Sequence, residues 1–253
     1  MQYLLGIDIG TSGTKTAIYE GSTVIASDTA EYPLYQPKNG WAEQKPEDWW
    51  NAVCITCKSV LKKSNASPND IKCIGLTGQM HGLVMLDDNN EVIRPSIIWC
   101  DNRTAKECTE ITRKVGAQRL IDITSNPALT GFTASKIMWI KNNEPENYKK
   151  CRHILLPKDY IRFMLTGEYA TDVSDASGMQ LLDIPKRNWS KEVLDALDID
   201  ISLLGKVYES VEITGRITAE ASIKTGLSEG TPVAAGAGDN AAAAVGTGVV
   251  ADG

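Results

Sequence analysis

An aspartate closing an apolar run, followed at once by glycines and hydroxyls, is the first place in this sequence where chemistry could be done. The segment is Asp8-Ile9-Gly10-Thr11-Ser12-Gly13-Thr14-Lys15. Backbone N–H groups freed by the glycines can cradle phosphate oxygens, with the Thr11 and Ser12 hydroxyls as further donors. Two familiar phosphate loops are excluded. A Walker A loop ends in Gly-Lys-Ser/Thr, whereas the order here is Gly13-Thr14-Lys15-Thr16. A dinucleotide fingerprint needs a glycine where Asp8 stands and a helix after it, and Thr14 to Tyr19 reads as a strand instead. Asp8 would repel a bare triphosphate but suits the magnesium ion that travels with ATP. Taken alone, the motif is equally an ordinary Gly-Thr-Ser-Gly hairpin turn.

A second acid stands near the other end of the chain, in Gly238-Asp239-Asn240, between the strand-like Pro232 to Ala237 and an alanine-rich helix. Ligands of open α/β sheets bind at the carboxyl ends of strands, and an aspartate there can take a hydroxyl proton during phosphoryl transfer. The plain alternative is a helix N-cap. The third feature is Gly78-Gln79-Met80-His81-Gly82, a polar loop after a strand that suits sugar hydroxyls, although a histidine in a turn is often merely solvated. His153, the other histidine, lies beside Lys149, Lys150 and Arg152 and reads as solvated surface.

The elements that must position these groups are legible in outline. Gln2 to Ile7, Thr14 to Tyr19 and Val24 to Asp28 read as three consecutive strands. Pro46, Glu47 and Asp48 open a helix running to about Lys63, with proline in the first turn and acids at the positive dipole end. Ile71 to Thr77 is a buried strand, and Leu83–Leu86 with Glu91–Ile93 frame an Asp-Asp-Asn-Asn turn as a hairpin. From Asp101 to about Gly205 the apolar spacing is mostly helical, which predicts an inserted helical layer. No repeat, linker or internal boundary is marked by composition.

Composition narrows the partners. The 253 residues are 42% hydrophobic with a formal net charge of -6, enough to bury a core and the wrong sign for nucleic acid or an anionic membrane. A small ligand is the expected partner. The apolar N-terminal run is interrupted by Asp8, so neither signal peptide nor membrane span is expected there, and the expected compartment is the cytoplasm. The 6 cysteines, Cys54 and Cys57 among them, lack zinc-site or thioredoxin-like spacing and are expected to be reduced packing residues.

Together these pieces resemble the FGGY carbohydrate kinases, relatives of actin and hexokinase, and most closely their xylulokinase branch. The likeness runs the whole length: Gly6-Ile7-Asp8-Ile9-Gly10-Thr11-Ser12-Gly13, Trp41-Ala42-Glu43-Gln44, Glu47-Asp48-Trp49-Trp50, Gly78 to Gly82, Pro95 to Trp99, Leu156-Pro157-Lys158-Asp159-Tyr160 and Gly238 to Ala241, in that order. Gly131 to Asn143 is similar to the family's first signature pattern. Met80 and His81 stand where glycerol kinases carry arginine and glutamate.

The resemblance implies an α/β, ribonuclease-H-like lobe of the actin/hexokinase type, with a mixed central sheet, flanking helices and a helical insertion. It implies Asp239 as catalytic base, and Met80, His81 and Asn240 as contacts to a ketopentose, D-xylulose. It further implies Asp8 toward magnesium, Thr11, Ser12, Gly13 and Lys15 along the phosphates of ATP, and Trp99, Asp101 and Arg103 bordering the sugar pocket. Ribulose, rhamnulose or another polyol are alternative substrates, and a non-catalytic actin-like module is the rival of a different class. Residues 1–253 are expected to form the sugar-binding N-terminal domain, with the nucleotide-binding second half lying outside this sequence. The family also suggests a homodimer for the full-length protein, and little turnover by this half alone.

Overall fold

Tyr3, Leu5, Ile7 and Ile9 alternate with Leu4, Gly6 and Asp8, and this period of two makes Tyr3–Ile9 a strand (β1) with one apolar face turned inward. The computed structural model describes residues 2–249. Gly13–Glu20 (β2) and Thr23–Glu31 (β3) follow as an antiparallel meander. The first strand runs two residues further than its apolar pattern suggests, so Asp8 sits inside it, paired across the ladder with Lys15. Pro46–Ser64 (α1) has Glu47 and Asp48 in its first turn, Lys62 and Lys63 in its last, and a left-handed Asn65 at its end. Its buried Trp49, Val53, Cys57 and Val60 recur at helical spacing and face the sheet, where Thr56 and Thr16 share a 2.7 Å hydroxyl hydrogen bond.

Ile71–Gly78 then pairs parallel to β1. The last strand of the sheet comes from far along the chain and in two pieces, Pro232–Ala234 and Ala237–Gly238, both parallel to Ile71–Gly78. Ile213–Arg216 covers its outer edge antiparallel. The break falls at Ala235-Gly236, where Gly236 has φ +80° and a Cβ would lie 2.3 Å from the Leu76 carbonyl oxygen. Only glycine fits that approach.

Between these strands the chain builds a second apolar cluster around Leu83, Ile97, Ile137, Met138 and Leu194, with helices Ala105–Val115, Ala117–Thr124, Thr133–Asn143 and Lys191–Leu197. This is the helical layer that the spacing predicts, interrupted by short strands. The Asp87–Asn90 turn forms, but Val84–Leu86 pairs mainly with His153–Leu155 and meets the Glu91–Ile93 segment through a single bridge at Val92. His153 is not simply solvated: its ring stacks on Tyr169 at 3.7 Å. All six cysteines are free thiols, and burial pushes that of Cys57 up to about 12. No helix among the described residues is long and apolar enough to cross a membrane.

Candidate active site

Three parallel strands end at one edge of the sheet, and each delivers one of the chemistry-bearing segments there. Asp8 is level with Thr77, Thr77 with Ala237, and the next row is Ile9, Gly78 and Gly238. Asp239 follows that row directly. Two strand spacings therefore separate the acids laterally, about 10 Å at the usual interstrand distance. Both are partly exposed.

Asp8 Oδ1 is buried and has no hydrogen-bond partner. Burial raises its carboxyl above the ordinary value, Asp239 adds to the rise and Lys15 opposes it. An orphaned carboxylate oxygen beside a second acid fits a cation, and magnesium bound mainly through substrate phosphates needs only one or two protein carboxylates. No cluster of three or more metal-ligating side chains occurs among the described residues. The folded state holds the Asp8 proton more tightly than the unfolded chain, so ionisation above the usual carboxylate value costs stability, and at neutral pH that cost is present. Asp8→Asn is accordingly expected to raise the thermal midpoint of the metal-free chain. A midpoint that falls would mean that Asp8 is already paired.

The loop after Asp8 is braced from behind. Gln44 donates to the Thr11 carbonyl at 2.7 Å, Gln79 donates to Gln44 at 2.8 Å, and Trp49 donates to the same Gln44 oxygen at 3.1 Å. Tyr32 donates its hydroxyl to the Gly10 carbonyl. Ser12 and Lys15 are exposed, with Thr11 and Gly13 partly so. Trp99, half exposed, reaches across and donates its indole N–H to Thr11 Oγ1 at 2.8 Å.

His81 stands at φ +69°, an unusual backbone for a non-glycine residue. Its carbonyl is held by Lys136 Nζ at 2.7 Å and by Thr133 Oγ1 at 3.1 Å, and its ring packs on Phe132. Nδ1 lies 2.8 Å from the Gly178 carbonyl oxygen, which can only accept. The proton therefore belongs on Nδ1, and Nε2 is left as an acceptor. Burial pulls the imidazole down to about 4 against the Gly178 hydrogen bond, with Lys136 adding to the fall, so the ring is neutral at physiological pH. Lys136 is itself fully buried, pulled down by burial to about 7 while Asp101 opposes.

Met80 lies between Gly178 and Gly238, where added Cβ atoms would come within 3.1 Å and 2.9 Å of its side chain. This links the Gly78–Gly82 loop to the strand that leads into Asp239. Asp239 is the first residue of the helix Asp239–Gly246, not its cap; the cap position is Gly238. The helix starts with no intervening turn, and Asp239 Oδ1 accepts the Asn240 N–H at 2.8 Å. Asn240 is exposed.

Asp101 and Arg103 differ from the rest. Asp101 is sealed, with its oxygens taken by the Ala42 N–H and by Arg103. Arg103 also pairs with Glu43 at 2.8 Å and lies 3.6 Å over Trp41 and 4.9 Å from Trp139. The Asp101 N–H also donates to the Ile98 carbonyl at 3.2 Å, which closes the turn that contains Trp99. Lys136, Gly178 and the Gln44–Gln79 pair carry no role in the sequence reading. A lysine within the apolar helix Thr133–Asn143 was the one visible signal among them.

The family model described as the FGGY family of carbohydrate kinases, N-terminal domain, matches residues 3–246. The chain belongs to this family. Its FGGY relatives include the xylulose kinase of Lactococcus lactis subsp. lactis, 45% identical over 255 residues, which cover 99% of this chain and 50% of that protein. The xylulose kinase of Bacillus subtilis is 41% identical, covering 100% of this chain and 51% of its own length. Among solved structures, xylulose kinase from Rhodospirillum rubrum superposes with a TM-score of 0.95 at 28% identity, over 99% of this chain and 51% of that one. Ligand-bound xylulose kinase from Lactobacillus acidophilus gives 0.90 at 29%, over 97% and 50%. The fold is thus the actin-like ATPase fold, α/β with a mixed central sheet flanked by helices. The chain spans about half the length of the curated relatives it matches.

Proposed function

We propose that the protein containing this chain transfers the γ-phosphoryl group of ATP to D-xylulose, and that this lobe supplies the sugar site and the base. The observation that carries the reading is the convergence of Asp8, the His81 loop and Asp239 on one strand edge. The similar proteins named as xylulose kinases support the choice of sugar.

In this reading the sugar lies against Met80 and Trp99, donates a hydroxyl hydrogen bond to His81 Nε2, and meets the Asn240 side chain. Its terminal hydroxyl oxygen forms a bond to the γ-phosphorus as the bond to the β-phosphate oxygen breaks and ADP leaves. Asp239 accepts the hydroxyl proton. Thr11, Ser12, Gly13 and Lys15 face the phosphates. Asp8 would hold magnesium, which when bound neutralises phosphate charge. Asp101 and Arg103 act at a distance, by fixing the Ile98–Asp101 turn that carries Trp99. Residues outside this chain would complete the nucleotide side and exclude water, which otherwise competes as acceptor.

The test is a coupled assay of the full-length protein with D-xylulose, ribulose, rhamnulose, gluconate and glycerol. The expected result is the highest kcat/KM with D-xylulose. A higher value with any other member of the panel replaces the sugar, and no phosphorylation of any of them removes the kinase reading.

A further inference from the structure

Behind Asp239 lies a sealed group of charges that phosphoryl transfer itself does not use. Lys158 and Arg162, on the helix Pro157–Thr166, are fully buried, and so are Asp172 and Asp175, with Asp159 nearly so. Lys158 Nζ is 2.6 Å from Asp159 Oδ1 and 3.0 Å from Asp172 Oδ1, and Arg162 Nη2 is 3.2 Å from Asp159 Oδ1. Asp172 Oδ2 accepts from Ser174 Oγ at 2.6 Å and from Ser210 Oγ at 2.8 Å. Asp175 is treated differently. Neither of its oxygens has a hydrogen-bond donor, and its nearest cation, Lys158, stands 3.7 Å away.

The same group holds the backbone that leads to Asp239. Because the last strand is broken at Ala235-Gly236, the Ala235 carbonyl leaves the sheet and accepts from Lys158 at 3.1 Å and Arg162 at 3.5 Å. Two residues past the break, the Gly238 N–H donates to Ser174 Oγ at 3.1 Å, and Ser174 in turn is anchored on Asp172. Both ends of the short segment before Asp239 thus rest on buried charge.

Counted formally, two cations face three carboxyl groups in a space closed to water. An unbalanced buried charge is strongly unfavourable, and one bound proton removes it. Asp159 and Asp172 have cations or hydroxyls to stabilise a negative charge, and Asp175 has neither at bonding distance. We propose that Asp175 carries the balancing proton as a neutral carboxyl group, and that Lys158, Asp172 and Ser174 are positioning residues that fix the Ala235–Gly238 segment and so aim Asp239. The second half of this rests on Asp239 being the base.

The electrostatics agree with the geometry. Burial lifts the Asp175 carboxyl well above the ordinary range; Lys158 opposes this, while Asp159, Asp172 and Asp239 add to it. Asp172 is buried too, but Lys158 and the Ser174 and Ser210 hydroxyls hold it below its ordinary value.

Two sets of measurements test the two halves separately. On the chain itself, carboxyl-carbon NMR at pH 7 is expected to find Asp175 protonated, and Asp175→Asn to melt within about 3 °C of the parent, since the amide is neutral as well. An ionised Asp175, or a midpoint lower by roughly 10 °C, overturns the assignment of the proton. In the full-length protein, Ser174→Ala removes one hydroxyl and leaves the charges in place, so it should fold; Asp172→Asn is the stronger variant. Each is expected to lower kcat, by about tenfold for Asp172→Asn, while sugar KM changes little. Unchanged kcat in Ser174→Ala, or a rise in KM as large as the fall in kcat, overturns the positioning role. The NMR and melting results do not depend on activity, so an error about Asp239 leaves them readable.

Discussion

Asp239→Asn in the full-length protein is expected to lower kcat by about 10²–10⁴-fold, the range that general-base catalysis contributes. The substitution is nearly isosteric. The asparagine side-chain oxygen can still accept the Asn240 N–H that Asp239 Oδ1 now accepts at 2.8 Å, so the start of the helix should be undisturbed. Met80, His81 and Trp99 lie on other segments, and sugar affinity should remain within the same order of magnitude. Loss of kcat with retained binding is the signature of an interaction needed only in the transition state. The amide also removes a negative charge that now raises the Asp8 carboxyl, so Asp8 should ionise more readily in the variant. Steady-state kinetics with a parallel sugar-binding titration reads the effect. A kcat within about tenfold of the parent would return Asp239 to a structural role at the helix start.

How much of this was visible in the sequence depends on whether a residue acts where it stands or through a distant partner. The alternation in β1 and the glycine-hydroxyl run after it mark Asp8 from local pattern alone, and the ladder Asp8–Lys15 follows from the hairpin. The strand before Asp239 is equally local. What pattern does not give is that the two strands flank Ile71–Gly78, since the pairing with the last strand joins segments more than 150 residues apart and is decided by burial of Ile7, Ile74 and Val233 together. The N-cap alternative for Asp239 could be decided only by geometry, because an acid at the cap and an acid at the first helical position look alike in one dimension.

The charged residues were the least legible. Nothing in the local pattern marks Lys158, Asp159 and Arg162 as buried, yet all three are, because Asp172 and Asp175, supplied by the next segment, close over them. Asp101 and Arg103 entered through the resemblance alone, because the partners that hold them, Ala42, Glu43 and Trp41, lie some sixty residues earlier. The resemblance to the family gave the order of the motifs, and the contacts gave what each one rests on.

Gly178→Ala is expected to raise sugar KM by roughly 10- to 100-fold, although Gly178 carries no functional group and never meets the ligand in this reading. A Cβ there would lie 2.5 Å from both His81 Cε1 and Nδ1, and 3.1 Å from Met80 Cε. The ring has no easy retreat, because Phe132 packs on it and the His81 carbonyl is held by Lys136 and Thr133 at a left-handed backbone. Relief must come from moving the imidazole or the turn Ser177–Met179, and either stretches the hydrogen bond from Nδ1 to the Gly178 carbonyl that fixes the tautomer. Nε2 then loses its orientation as an acceptor. Overpacking of this kind costs about 1–3 kcal/mol, which as lost binding is about 5- to 150-fold and brackets the stated range in KM. Since the effect passes through the His81 ring, it should be non-additive with His81→Ala: once the ring is gone, the added methyl has nothing to displace. A double variant whose KM is the product of the two single effects would show that Gly178 acts by another route, and a Gly178→Ala enzyme with unchanged KM would remove His81 from the sugar site.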